Sequence, residues 1–475
     1  MANVRVITLV VAAALFMENL DGTVIATSLP AIALDLGVDP VMLKLAFTAY
    51  LLSLAIFIPV SGWCADRFGA RTIFRLAIGV FTLASIGCAM ADDLASLVAA
   101  RFAQGVGGAM MVPVGRLIIL RVVAKRDLVG ALAWLTVPAL IAPLAGPPIG
   151  GFITTYYHWR WIFWLNVPIG LVGIVLASFL IPQVKGDTAR PLDAIGFLLS
   201  GLGLSSLIFG LTIVGRDLVP VAGQVGLIAG GLLLILAYIR HARRTAYPLV
   251  DLSLLRIPTF RISVTGGMLF RIGIGAIPFL LPLMLQLGFG LSPFASGSLT
   301  FAAAGGALVM KLTAGPILRR FGFRRVLVVN TLLSAGLLAA TALFTAETPH
   351  LVILAVLLAG GFFRSLQFTS LNALGYADVE PPLMSRATSF SAVMQQLALS
   401  IGVAFAALVL EASQAIRGGA DLVTADFATA FVAISVLSAA SAVIFARLAR
   451  DAGAEVSGHA LATAPAHPEG RGMRG

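Results

Sequence analysis

Apolar residues run along this chain in long stretches, separated by short polar joints, without the strict alternation that a half-buried strand would show. One crossing of a hydrocarbon layer about 30 Å thick needs roughly twenty apolar residues in a helix. Stretches of that length fall near 6–34, 41–63, 72–91, 95–120, 129–154, 160–182, 192–214 and 219–239. Six more lie near 260–287, 294–315, 326–346, 350–376, 384–411 and 427–448. The pattern predicts an all-α membrane protein of fourteen helices. Residues 1–17 look like a leader peptide, with Arg5 ahead of Val6 to Met17. Apolar character resumes beyond Asp21 and continues to Leu34, so an uncleaved first helix is expected.

Composition agrees. Hydrophobic residues make up 59% of the 475 and charged residues only 11%, against about 25% charged in ordinary soluble domains. The 49 glycines and 23 prolines would mean loops in water, but both are frequent inside membrane helices. The net charge of +11 comes from residues scattered between apolar runs, not gathered on one arm or helix, so no nucleic-acid partner is expected. The two cysteines, Cys64 and Cys88, fall in or beside apolar spans without metal spacing and read as small packing residues. No metal, cofactor or catalytic constellation is expected.

Basic residues orient the helices, because the joints that stay in the cytoplasm are enriched in Lys and Arg. One set of joints and tails holds twenty-three of them, and the other only Lys44, Arg160, Arg216 and Arg417. Both termini are therefore expected in the cytoplasm, with the lipid bilayer as the surrounding partner. The chain also repeats itself. Arg67-Phe68-Gly69-Ala70-Arg71 returns as Arg320-Phe321-Gly322-Phe323-Arg324, each after the second helix of a six-helix block. Two like-built blocks around a central site are the plan of rocking transporters. The expected division is a six-helix bundle at 1–185, two inserted helices within 186–245, a second bundle at 246–450, and a disordered tail at 451–475.

Ionisable groups at mid-membrane are costly, about 2.5–3.5 kcal/mol each on insertion scales, so each needs a reason. Glu18 and Asp21 lie three residues apart on one face of the first helix. A carboxylate pair in a low dielectric can load and unload a proton, which makes both residues candidates for proton coupling. The plainer alternative is a pair of acids satisfied by neighbouring helices. Arg101 and Arg116 belong to the fourth helix, Arg271 and Arg364 to the middles of the ninth and twelfth, and Lys311 to the tenth near its cytoplasmic end. Arginine stays charged, so these cannot carry protons. Arg271 and Arg364 either reach a carboxylate of the first helix, face a watery cavity, or bond backbone carbonyls at a helix break.

Gln104-Gly105-Val106-Gly107-Gly108 lacks the preceding strand of a nucleotide loop and reads as close helix packing. In the fifth helix, Ala142 to Gly151 contains the pair Pro147-Pro148 and the glycines Gly146, Gly150 and Gly151. That segment should bend the helix and let a neighbour approach closely, as a hinge or seal requires.

Several of these segments resemble motifs of the major facilitator superfamily. Gly62-Trp63-Cys64-Ala65-Asp66-Arg67-Phe68-Gly69-Ala70-Arg71 is similar to its signature joint, and Arg101 to Gly108 to its fourth-helix motif. Gly146 to Gly151 resembles the antiporter motif of exporters. Leu20-Asp21-Gly22-Thr23-Val24 through Pro30, with Trp159 to Gly170, resembles the fourteen-helix drug:proton antiporters. Within these the likeness is to the MdtD-type multidrug exporters, through Gly107 to Gly115 and Arg271-Ile272-Gly273. The resemblance implies proton transfer through Asp21 and Arg101, with Glu18 a candidate on its position alone, and a conformational latch of Gly62, Asp66, Arg67, Gly69 and Arg71. In the latch, Asp66 would cap a facing helix end across the cytoplasmic cleft. Arg271, Arg364 and Gln104 are expected at the substrate cavity. In the second repeat Arg319 stands where Asp66 stands in the first, so the latch should be one-sided.

The functional expectation is a proton-coupled antiporter, a monomer in the bacterial inner membrane, that exports small organic compounds. An exporter of small anions such as carboxylates is the alternative suggested by Arg271 and Arg364, and a membrane scaffold or sensor is a third. No phosphate loop exists, which excludes an ATP-driven pump on this chain and leaves no sign of an enzyme.

Overall fold

In a hydrocarbon layer every backbone N–H and C=O must be paired within the protein, and helices do this locally. The computed structural model describes residues 4–123, 128–185, 191–214, 219–380, 383–419 and 421–459, and these form helices and short joints with no strand. Eight membrane helices precede the second repeat: α1 Arg5–Asp35, α2 Pro40–Phe68, α3 Ala70–Ala89, α4 Leu94–Val122, α5 Leu128–Tyr156, α6 Trp161–Leu180, α7 Ala194–Thr212 and α8 Val221–Ala242. Six follow: α9 Pro258–Gly288, α10 at 293–321, α11 at 323–341, α12 His350–Ala377, α13 Arg386–Arg417 and α14 Thr424–Phe445. Fourteen crossings bring both described ends to one side, called here the terminal face.

Polar caps start several helices where free N–H groups would otherwise be unmet. Asp39 accepts from Val41 N at 2.8 Å, Asp93 from Ser96 N at 2.7 Å and Ser292 from Ala295 N at 3.2 Å. The repeated pentapeptide has a conformational reason: Gly69 (φ 92°) and Gly322 (φ 69°) each turn the chain between two helices in the positive-φ region that glycine tolerates. At the first joint, Gln183 Nε2 donates to Phe68 O at 3.3 Å and to Thr72 Oγ1 at 2.8 Å, tying the end of α6 to the turn.

Helices α1–α6 pack on one another, as do α9–α14, and the two groups meet along α2–α13 and α5–α10. The inserted pair packs together outside them, and α7 touches both α2 and α13. The tail departs from expectation. A helical turn, Ala454–Ser457, packs on α12 and on the α10–α11 segment, and His459 Nδ1 bonds Arg319 O at 2.9 Å. Apolar contact explains this order: a Cβ on Gly453 would meet the Phe323 ring at 2.7 Å, so the chain lies directly against the second-repeat joint. Residues 460–475 of the expected tail lie outside the described residues.

Contacts between the halves gather at the face opposite the termini. Lys44 Nζ donates to Glu411 Oε1 at 2.7 Å, Gln286 Nε2 to Thr27 O at 2.9 Å, and Phe294 N to Thr155 Oγ1 at 3.0 Å. Glycines make the approach possible. A Cβ on Gly151 would strike the Pro293 carbonyl, and one on Gly297 the Pro147 carbonyl, backbone against backbone. Among the described residues, the terminal-face ion pairs Asp66–Arg121 and Asp251–Arg386 each stay within one half. The halves are thus closed at one end. Gly297→Val is expected to lower stability by about 1–3 kcal/mol through overpacking, read as a lower thermal midpoint in detergent. An unchanged midpoint would mean that this contact contributes nothing.

Candidate functional site

Asp21 sits midway along α1, where its carboxylate turns inward among α3, α4 and α6. It is 1% exposed and Arg101 is 0% exposed. Arg101 Nη1 donates to Asp21 Oδ2 at 2.5 Å and to Gln104 Oε1 at 2.6 Å. Gln104 Nε2 donates to Asp21 Oδ1 at 2.9 Å and to Ser85 Oγ at 2.7 Å, while Asn166 Nδ2 donates to Asp21 Oδ1 at 2.8 Å. Three N–H donors from two helices therefore converge on one carboxylate. A buried ion pair survives only when its remaining lone pairs and protons are also met. Here the amides meet the carboxylate side. Arg101 Nε and Nη2 find no hydrogen-bond partner, and its guanidinium instead lies 4.4 Å from the Tyr50 ring centroid and 5.8 Å from that of Phe163.

Glu18 shares the face of Asp21 but turns toward α2, where Tyr50 Oη donates to its Oε1 at 3.3 Å. Tyr50 thus touches Glu18 through its hydroxyl and Arg101 through its ring, linking the two acids into one buried cluster. The glycines of α4 create the space. A Cβ on Gly105 would collide with Ser53 Oγ, and one on Gly108 would sit 3.4 Å from Glu18 Cγ.

A cavity of about 470 Å³ lies between the halves, bounded by α1, α5, α9, α10 and α12. Thr23, Thr27 and Pro147 form part of one wall, and Ile277, Arg364 and Lys311 part of the other. Of the three residues expected there, only Arg364 lines it. Arg271 is 5% exposed and stands one layer back, its Nη2 donating to cavity-lining Asn372 at 3.4 Å and its guanidinium 5.1 Å from the Phe368 centroid. Gln104 is a correction: its amide is wholly taken up by Asp21, Ser85 and Arg101, so it belongs to the buried cluster and not to the wall. Neither arginine of the second half reaches a carboxylate of α1.

The antiporter-like segment of α5 packs small residues against α1 and α10. Thr27 Oγ1 donates to Pro147 O at 3.3 Å, and Cβ atoms on Gly146 and Gly150 would meet Thr23 and the Val24 carbonyl. In the joint after α2, Asp66 Oδ1 accepts from Arg121 Nη2 at 2.6 Å, Arg71 Nη1 reaches Ile181 O at 3.4 Å, and Gly62 and Arg67 are exposed. The Trp159-Arg160 segment is a staple at the opposite face. Trp159 Nε1 donates to Asp35 Oδ2 at 3.0 Å, Arg160 pairs with the same carboxylate, and Arg160 Nη2 donates to Ala91 O at 2.9 Å.

Residues that the sequence reading did not single out are Tyr50, Ser85, Asn166 and the Lys44–Glu411 pair. Asn166 and Ser85 carry no charge and look like any polar residue in a helix. Glu411 had one available signal, an acid within an apolar run, and Lys44 another, as one of four basic residues on the sparse side.

The profile of the Major Facilitator Superfamily matches residues 11–403, with a second match over 263–468. The chain belongs to this superfamily. It is 38% identical over 449 residues to the protein named for multidrug resistance as MdtD in Salmonella typhimurium (strain LT2), covering 93% of this chain and 94% of that one. The MdtD of Enterobacter sp. (strain 638) is 38% identical over 464 residues, covering 94% and 96%. Among solved structures, a POT family peptide transporter superposes with a TM-score of 0.70 at 13% identity, covering 92% of this chain and 96% of that one. A D-xylose-proton symporter gives 0.67 at 14%, covering 93% and 97%. Those structures share the fold. The chain is accordingly a multi-pass membrane transporter with a small-molecule substrate, not an enzyme.

Proposed function

We propose that this protein is a proton-coupled antiporter that exports small organic compounds, a monomer in the bacterial inner membrane with both termini in the cytoplasm. The observation that carries the reading is the Asp21–Arg101 pair, sealed inside the first half beside a cavity that is closed at one end. A proton arriving on Asp21 cancels the charge that Arg101 balances. The guanidinium then loses its counter-charge and is left against the ring of Tyr50, whose hydroxyl bonds Glu18. Such a change alters how α1 seats on α4 and α6, and α1 also lines the cavity and holds Gln286 of the second half. Proton and substrate would thereby compete for one arrangement of the first half.

In this reading the present conformation opens toward the cytoplasm. Closing that side would bring Asp66 away from Arg121 to cap a helix end of the other half, with Arg67 and Arg71 in the same network, since a carboxylate at a helix N-terminus is stabilised. The bent, glycine-rich part of α5 at Gly146, Pro147, Gly150 and Gly151 would serve as the seal at the other end. One proton crossing about 100 mV supplies about 2.3 kcal/mol. At about 1.36 kcal/mol per tenfold, that permits roughly fifty-fold concentration.

Proteoliposomes test the reading. An imposed pH gradient should drive uptake of an exported compound into inside-out vesicles, with proton release by the lumen seen as recovery of a quenched pH dye. Transport that ignores a protonophore, or no proton movement on adding substrate, would overturn it.

A further inference from the structure

The two halves are copies in register. The spacing that takes Gly69 to Gly322 also takes the span Arg5–Asp35 onto Pro258–Gly288 and the start of α2 at Pro40 onto Pro293. It takes Glu18 to Arg271. Helix α4 likewise matches α12: Gly105 and Gly361 are equivalent, since a Cβ on Gly105 would abut the Tyr50 carbonyl and one on Gly361 the Ala303 carbonyl, and Tyr50 and Ala303 are themselves equivalent. That register takes Gly108, which lies against Glu18, to Arg364. Where the first half holds an acid and a glycine, the second holds two arginines. The C-terminal cations are therefore no echo of the acidic cluster but a charge reversal across the pseudo-two-fold axis.

Among the described residues no carboxylate lines the cavity, while Arg364 and Lys311 both do. Among the described residues Arg364 makes neither a hydrogen bond nor an ion pair, and Arg271 behind it keeps an unpartnered Nε. An uncompensated guanidinium facing a largely apolar chamber at mid-membrane is expensive, and a guanidinium presents a fork of donors that fits a carboxylate or sulfonate. Apart from the amide of Asn372, the rest of the wall is hydrocarbon and small hydroxyls, with Ile277, Leu281 and Leu308 on one side and Thr23 and Thr27 on the other.

We propose that this cavity is a binding site for amphiphilic organic acids: one anionic group held by Arg364 and Lys311, and an apolar body laid against Ile277, Leu281 and Leu308. Asn372, fixed by Arg271, positions the anionic group from behind. The proposal rests on the transport reading above and supplies the substrate class for it.

Three probes with one skeleton test it: 2-naphthoate, 2-naphthamide and 2-naphthylmethylammonium, with dissociation constants measured by calorimetry on the purified full chain. Charge-assisted contacts of about 1.5–3 kcal/mol predict that naphthoate binds about ten- to hundredfold tighter than the amide. Arg364→Gln should reduce that preference to less than about threefold, whereas Arg364→Lys should keep most of it. If Arg364→Gln does not fold, Lys311→Gln should weaken naphthoate alone. Equal or tighter binding of the ammonium by the unmodified protein overturns the proposal, as does an Arg364→Gln or Lys311→Gln variant with undiminished preference for the acid. Vesicle transport separates the two claims. Naphthoate bound selectively but not moved by a pH gradient would sink the export reading and leave the site standing. Proton-driven movement of the ammonium with no naphthoate binding would do the reverse.

Discussion

Asp21→Asn is expected to abolish proton-driven transport, reducing the initial rate by at least about a hundredfold, the scale of a lost interaction worth about 2.7 kcal/mol. The amide cannot carry the proton, and it also leaves Arg101 buried without its counter-charge. Breaking one partner of a buried pair costs about 3–5 kcal/mol, so the single variant should unfold at a lower temperature as well. Loss of transport could then be blamed on loss of structure, and a second variant resolves this. Replacing both partners, Asp21→Asn with Arg101→Gln, removes the uncompensated charge and should recover most of the thermal midpoint while transport stays absent. Recovery of transport along with stability would show that the pair is architectural and that the coupled proton sits elsewhere.

The second large effect concerns the closed end. Lys44 and Glu411 lie in α2 and α13, one in each half, with side chains 2% and 11% exposed and 2.7 Å between Nζ and Oε1. The two halves cannot part at this face without separating that pair. Lys44→Ala should therefore favour the conformation opened on this side. Breaking one partner of a buried pair costs about 3–5 kcal/mol, which corresponds to a population shift of more than about a hundredfold. The readout is a Thr27→Cys reporter, placed on a background with Cys64 and Cys88 replaced and labelled from that side by an impermeant maleimide. Labelling should rise sharply in Lys44→Ala and fall back when Lys44→Glu is combined with Glu411→Lys. Labelling that stays low in Lys44→Ala would remove the pair as a gate.

Much of the fold was legible because the solvent is lipid. A helix that must hide its backbone from hydrocarbon announces itself by length and apolarity, so the spans and the duplicated joint could be read directly. Ends were less legible where helix outlasts apolarity: α10 continues through Arg319 and Arg320 to residue 321, because the joint waits for Gly322. The acids of α1 could be located, since a charge in an apolar run is conspicuous. Their partners could not. Ser85, Asn166 and Tyr50 are ordinary residues in three separate helices, and only packing brings Asn166 to Asp21, Tyr50 to Glu18 and Ser85 to the amides of Gln104 and Asn166. Gln104 was misplaced for a related reason: periodicity gives the face of a helix, but not whether that face looks into its own bundle or across to the other. Arg271 likewise lies one layer behind the surface its depth suggested.

The inserted helices have a consequence for movement. Helix α7 rests on α2 and on α13 at once, with Phe197 edge-on to Phe57 at 5.5 Å and Gly201 close to Ile56. Any swing of one bundle relative to the other must slide at least one of those surfaces beneath it. The added hairpin therefore bridges the seam between the bundles, and a swing that opened the seam would have to break its contact with α2 or with α13.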